Sequence, residues 1–111
     1  MQTKKKILLV DDELGIIKFL NIKLKVSGYD VITASGGQEA LDLIDSAKPD
    51  IMLLDVIMPG IDGFEVLRRL RPASRLPIIV YSARTTNRHE ALSLGANDFL
   101  PKPFDVDELE K

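Results

Sequence analysis

Short apolar runs rich in β-branched residues recur at Ile7–Val10, Val31–Ala34, Ile51–Leu54 and Ile78–Tyr81, with a weaker one at Asp98–Leu100. Four of the five are continuous rather than alternating, which is the pattern of strands covered on both faces of a parallel sheet. The segments between them have helical spacing. Leu14, Ile17, Leu20 and Leu24 step by three and four and stop at Ser27-Gly28. Ala40, Leu41, Ile44 and Ala47 run from Gly36-Gly37 to Lys48-Pro49, and Phe64, Leu67 and Leu70 form a stripe closed by Arg71-Pro72. Ala91, Leu92 and Leu94 form a weaker one ended by Gly95. Asp105 stands where a fifth helix would be N-capped, with Glu108 at the capping-box position. Strand and helix thus alternate five times, which implies parallel strands, right-handed crossovers and helices on both faces of the sheet.

At 111 residues the chain is long enough for one core and reads as one domain, 1–111, with no linker, repeat or low-complexity tract. An apolar share of 45% excludes intrinsic disorder, and the lack of Cys excludes a disulfide scaffold or thiolate metal site. Seventeen acids against fifteen bases leave a net charge of −2, which excludes nucleic-acid binding through a strongly basic surface. The start, Lys4-Lys5-Lys6 then Ile7–Val10, has only four apolar residues before Asp11-Asp12, too few for a signal peptide. No run approaches the ~18 apolar residues of a membrane span, so a soluble cytoplasmic domain is expected.

In open α/β sheets chemistry gathers beyond the carboxyl ends of the strands, at the switch point. The residues at those ends are Asp11, Asp12 and Glu13 after the first strand, Asp55 after the third, Ser82 after the fourth and Lys102 after the fifth. With strand order 2-1-3-4-5 the first and third strands are neighbours, and Asp11, Asp12 and Asp55 converge. Three carboxylates crowded together need a cation, and oxygen ligands without His or Cys suit Mg²⁺, with Mn²⁺ a substitute. A hydroxyl from Ser82 and an ammonium from Lys102 complete a set suited to phosphoryl transfer, with Asp55 as nucleophile on a rigid strand end.

Asp11-Asp12, Asp55 followed by Met58-Pro59-Gly60-Ile61-Asp62-Gly63, Ser82-Ala83 and Lys102-Pro103-Phe104 together resemble the CheY-like receiver domain of two-component response regulators. The resemblance runs from the first strand to the end of the chain. It implies a flavodoxin-like, doubly wound five-stranded sheet of order 2-1-3-4-5 whose last helix is truncated here. It also implies that Asp55 accepts a phosphoryl group from a sensor histidine kinase or a histidine phosphotransfer protein. Asp12, Asp55 and the main-chain carbonyl of Ile57 would hold Mg²⁺, with Asp11 acting through water. Lys102 would pair with the phosphoryl oxygens, and the Lys102-Pro103 bond is expected to be cis. Ser82 would swing to the phosphate and Phe99 would follow inward, reshaping the face of the fourth helix, fifth strand and fifth helix, through which a homodimer would form. Such a domain promotes its own phosphorylation and dephosphorylation and is not a turnover enzyme. It would meet nucleic acid only through an output domain.

Two departures from the commonest pattern matter. Ser82 stands where Thr is more frequent, and Phe99 lacks a tyrosine hydroxyl, so its buried and exposed states differ mainly in apolar burial. Ile57, two residues past Asp55, cannot orient an attacking water, which predicts slow loss of the phosphoryl group unless Arg84 compensates. Competing readings are weaker. One of Asp11 and Asp12 is expected to cap the first helix, but two in succession exceed what a cap requires, and Asp55 could be a structural partner of Lys102. A mononucleotide binder would need a Ser/Thr/Gly-rich loop where Asp11-Asp12-Glu13 stands, and an Asp-nucleophile phosphohydrolase would need an acid at Ile57. A receiver-like interaction module that is never phosphorylated is the remaining alternative. The fifth helix, beginning near Val106, has about two turns before Lys111, against a mean of ~11–12 residues. A longer natural chain, with any output domain beyond Lys111, is therefore expected.

Overall fold

The computed structural model describes residues 4–84 and 86–102. The expected fifth helix and the Lys102-Pro103 bond lie outside the described residues. Five strands and four helices alternate: β1 (Lys6–Val10), α1 (Leu14–Val26), β2 (Asp30–Ala34), α2 (Gly37–Ala47), β3 (Ile51–Asp55), α3 (Gly63–Leu70), β4 (Ile78–Ser82), α4 (Asn87–Ser93) and β5 (Asp98–Pro101). All pairings are parallel, as the alternating pattern requires, and the order is β2-β1-β3-β4-β5, as the resemblance implies.

The continuous apolar strands are explained by two cores, one on each face. Leu8, Val10, Met52, Leu54, Ile78, Val80 and Phe99 point to the side covered by α2, α3 and α4. Their alternates Ile7, Leu9, Leu53, Tyr81 and Leu100 point to the side of α1, where Ile17, Leu20 and Leu24 pack. Because successive side chains face opposite ways, a strand covered on both sides must be apolar at every position.

Helix α1 departs from the expected stripe. Leu14 is 66% exposed, while Ile17, Leu20 and Leu24 are buried. Each step of three falls roughly 60° short of a full turn, so Leu14 lies round the helix from the others. A second apolar stripe, Phe19, Ile22 and Val26, faces solvent on the opposite side of α1.

Helix α3 begins at a capped turn. The Asp62 carboxylate accepts a hydrogen bond from the Glu65 N–H at 2.9 Å, which caps the helix. Gly63 follows because nothing larger fits: a Cβ there would stand 2.4 Å from the Asp55 carbonyl oxygen and 2.8 Å from Val56 Cα. The Gly63 N–H donates to the Val56 carbonyl at 2.9 Å and so closes the loop that carries Asp55 into α3.

Arg71, at the C-cap of α3, does more than complement the helix dipole. Its guanidinium donates to the carbonyls of Gly95 (2.7 Å) and Ser74 (3.1 Å) and to Asn97 Oδ1 (3.0 Å). Asn97 Oδ1 also accepts the Ile78 N–H at 2.9 Å, so the clamp joins α3, β4 and the turn after α4. Gly95 has φ +107° and no room for a Cβ beside Arg71 Cγ. Arg71→Ala is expected to cost about 2 kcal/mol of unfolding free energy, the scale of charged hydrogen bonds, in urea titrations. A loss within error of zero would show the clamp to be replaceable by water.

Candidate functional site

The crossovers leave β1 and β3 in opposite directions, so a crevice opens between their carboxyl ends. Val10 is in register with Leu54, which puts Asp11 beside Asp55. Asp55 and Ser82 are the last residues of their strands rather than the first beyond them, and the rigid sheet fixes both. Carboxylate oxygens of Asp11, Asp12 and Asp55 all lie within 4.8 Å of one another. Asp11 and Asp55 are buried, at 0% and 4% exposure, and Asp12 is exposed.

Lys102 closes the cluster from the end of β5. Its Nζ lies 3.2 Å from Asp11 Oδ2 and 3.3 Å from Asp55 Oδ1. The Lys102 N–H donates to the Ser82 carbonyl at 2.8 Å, so the backbone aims this side chain before the ion pairs form. Burial lowers the ammonium's pKa, yet the charges of Asp55 and Asp11 outweigh it and leave the net shift upward. One cation does not neutralise the cluster. Burial and then the charge of Asp11 raise the Asp55 pKa from the usual 3.8 to about 6, with Lys102 opposing.

Neither Asp11 nor Asp12 caps α1. The N-cap is Glu13, which makes no side-chain cap bond, and Asp11 Oδ1 instead accepts the Glu13 N–H at 2.9 Å. The other Asp11 oxygen has a partner that strand patterning alone could not reveal. The Tyr81 hydroxyl donates to Asp11 Oδ2 at 2.8 Å and approaches the Val10 carbonyl at 3.1 Å, while Lys102 Nζ sits 4.7 Å over the Tyr81 ring. Burial and the charge of Asp11 push the phenol far above its ordinary 10, so it stays protonated and donates. In the sequence Tyr81 is one more apolar strand residue; its register with Asp55 is the signal that places it in the site.

Ser82 and Phe99 occupy the neighbouring side. Ser82 Oγ accepts hydrogen bonds from the Arg84 N–H at 3.1 Å and from Asn87 Nδ2 at 2.9 Å. Phe99 is 2% exposed and packs in the core with Ala91 of α4, the Arg88 guanidinium 5.9 Å from its ring centre. Ile57 is 54% exposed and shares a groove of about 250 Å³ with Val56, Met58, Asp62, Phe64, Arg84 and Asn87. His89 is exposed on α4 and takes no part. Among the described residues no helix is long and apolar enough to cross a membrane.

The fold recurs in known proteins. Residues 7–111 match the family described as the response regulator receiver domain. A probable transcriptional regulator ycf27 of Guillardia theta is 45% identical over 112 residues, which is 99% of this chain and 44% of that protein. The alkaline phosphatase synthesis transcriptional regulatory protein PhoP of Bacillus subtilis is 45% identical over 108 residues, 95% of this chain and 45% of its own. The chain thus spans under half the length of these curated relatives. Response regulator TrrA of Thermotoga maritima, solved in complex with Mg²⁺-BeF, superposes with a TM-score of 0.88 at 38% identity, covering 96% of this chain and 93% of that one. With a family match across nearly its whole length and a β2-β1-β3-β4-β5 sheet whose strand ends gather acids and a lysine, the chain belongs to the response regulator receiver domains, a family of signalling domains.

Proposed function

We propose that this domain takes a phosphoryl group onto Asp55 from a phosphohistidine of a sensor kinase or phosphotransfer protein and signals by the resulting change of surface. The observation that carries the reading is the ammonium of Lys102 shared between two buried carboxylates, Asp11 and Asp55, that have no other cation within reach among the described residues. An Asp55 oxygen would attack phosphorus, the P–N bond to the imidazole would break, and an aspartyl phosphate would form while the imidazole nitrogen takes a proton. Lys102, already beside Asp55 Oδ1, would turn its donors to the phosphoryl oxygens. The domain would then be a substrate and self-dephosphorylating switch, with no turnover activity of its own.

The donor set fits a hard divalent cation. It is all oxygen, its carboxylates already lie within 4.8 Å, and two of them are buried where uncompensated charge is costly. Asp12, Asp55 and the Ile57 carbonyl would hold Mg²⁺ (or Mn²⁺), with Asp11 contributing through water. When bound, the ion would neutralise the acids and the incoming phosphoryl charge. Ile57, apolar and exposed in the groove, supports the expectation of a long-lived phosphoryl group. The solvent-facing stripe Phe19, Ile22 and Val26 on α1 supports a protein as phosphodonor. Homodimerisation through α4, β5 and the residues that follow, and an output domain beyond Lys111, belong to the same proposal.

The test is intact mass after incubation with Mg²⁺ and a small phosphodonor such as acetyl phosphate. One phosphoryl group should add to the wild-type chain and none to Asp55→Asn. No addition to the wild type, or an addition that survives the substitution, would overturn the assignment and favour the unphosphorylated interaction module.

A further inference from the structure

Ser82 Oγ is engaged by the loop and helix that follow β4. It accepts from the Arg84 N–H and from Asn87 Nδ2, at 3.1 and 2.9 Å, and among the described residues its own proton has no acceptor. Asn87 is the first residue of α4, half-buried, and lines the groove beside Asp55's loop together with Ile57. A hydroxyl with both acceptor sites filled from one direction is held in one rotamer while its donor stays unspent. If a group on Asp55 draws that proton by turning the Ser82 side chain toward itself, the bond from Asn87 would loosen.

The aromatic on β5 offers no equivalent freedom. Phe99 is buried at 2% exposure in the core that also holds Ala91, with Arg88 over its ring, and it has no hydroxyl to reward an outward position. Turning a buried Phe outward gives up the burial of its whole side chain. Ser82, by contrast, is hydrogen-bonded directly to α4 through Asn87.

We infer that Asn87 is a positioning residue that latches the Ser82 hydroxyl to the start of α4 and opposes the phosphorylated arrangement until Ser82 is recruited. The inference rests on the phosphoacceptor reading of Asp55. Bond for bond, nothing covalent changes: one neutral hydrogen bond, Asn87 Nδ2–H to Ser82 Oγ, is exchanged for one from Ser82 O–H to the phosphoryl group.

The experiment uses Mg²⁺ with fluoroberyllate as the phosphoryl mimic, which forms no covalent phosphate and is read by ¹⁵N-labelled amide shifts. Asn87→Ala should bind it about fivefold more tightly than wild type, the factor that corresponds to one net neutral hydrogen bond. In the absence of mimic, the amides of α4 in Asn87→Ala should already lie shifted toward the wild-type bound positions, which loss of a purely structural contact would not produce. Asn87→Asp, favourable at a helix start, should bind the mimic more weakly than wild type, because a carboxylate accepts from Ser82 O–H and repels the mimic. Thermal unfolding of both variants serves as the folding control. If the wild type binds the mimic and Asn87→Ala binds it equally or more weakly, the latch is refuted and the phosphoacceptor reading stands. If the wild type fails to bind, the phosphoacceptor reading falls and takes the latch with it.

Discussion

Lys102→Met should cost the metal-free domain about 3 kcal/mol at about pH 7.5, the scale for removing one partner from a buried charge cluster. Methionine keeps the volume of the stem and removes only the ammonium. The group it deletes lies 3.2 Å from Asp11 and 3.3 Å from Asp55, whose side chains are 0% and 6% exposed, so neither acid can turn to water for compensation. The loss has a built-in limit. With Lys102 gone, the Asp55 pKa moves further upward from about 6, since the one neighbour that lowers it has been removed. Asp55 then takes a proton as the pH falls, so the deficit of the variant should shrink at about pH 5. Saturating Mg²⁺ should shrink it as well, by replacing the lost positive charge. Phosphorylation should not recover in the same way, because the charge-assisted donor to the phosphoryl oxygens is gone; a rate loss of about a hundredfold or more is expected. Urea titrations at the two pH values, with and without Mg²⁺, and mass-detected phosphorylation rates provide the readouts. A variant as stable as wild type at both pH values would mean that Lys102 is an ordinary loop residue.

The fold was legible because its period was written twice. β-branched runs without alternation forced a two-sided sheet, and each of Gly28, Lys48-Pro49, Arg71-Pro72 and Gly95 stopped a helix close to where the chain turns. The site was legible for the same topological reason. Asp11, Asp55, Ser82 and Lys102 need only be placed at strand ends for the sheet to bring them to one edge. What pattern could not supply was direction at single atoms. Leu14 shares its neighbours' spacing and still faces solvent. Asp11 has a capping residue's identity but spends its oxygens on Glu13, Tyr81 and Lys102. Tyr81 reads as strand filler, because period shows which face a side chain takes and not what its hydroxyl reaches. Arg71 reads only as part of a helix stop, since its partners Gly95 and Asn97 are more than twenty residues away. Long-range hydrogen bonds of this kind are set by how elements pack, and no local spacing encodes them.

Asp55→Asn should make the metal-free domain more stable by about 2–3 kcal/mol at about pH 7.5, even though it ends phosphorylation. The sign follows from where the proton is held. Asp55 binds it with a pKa near 3.8 in the unfolded chain and about 6 in the folded one, because burial and the Asp11 charge disfavour the anion. Folding therefore takes up a proton, and the stability from this group is fully present below the unfolded value and lost as the pH rises through about 6. At about pH 7.5 the wild type carries the whole penalty, about 1.36 kcal/mol for each pKa unit. Asparagine matches the shape of the protonated acid and carries no charge at any pH. Its unfolding free energy should be nearly flat between about pH 7.5 and 5, while the wild type gains on the order of 1 kcal/mol over the same interval. Mg²⁺ should reverse the ranking. It stabilises the wild type by mass action, about 2.7 kcal/mol at a hundredfold excess over its Kd, and does far less for a variant lacking one of its carboxylates. Denaturation curves at both pH values, each with EDTA and with Mg²⁺, separate these contributions. An Asn variant less stable than wild type in EDTA at about pH 7.5 would show that the Asp55 anion is held for its ion pair with Lys102. A gain instead means that the chain carries an acid whose charge weakens the fold until a cation arrives, which is expected of a residue kept for reaction and not for packing.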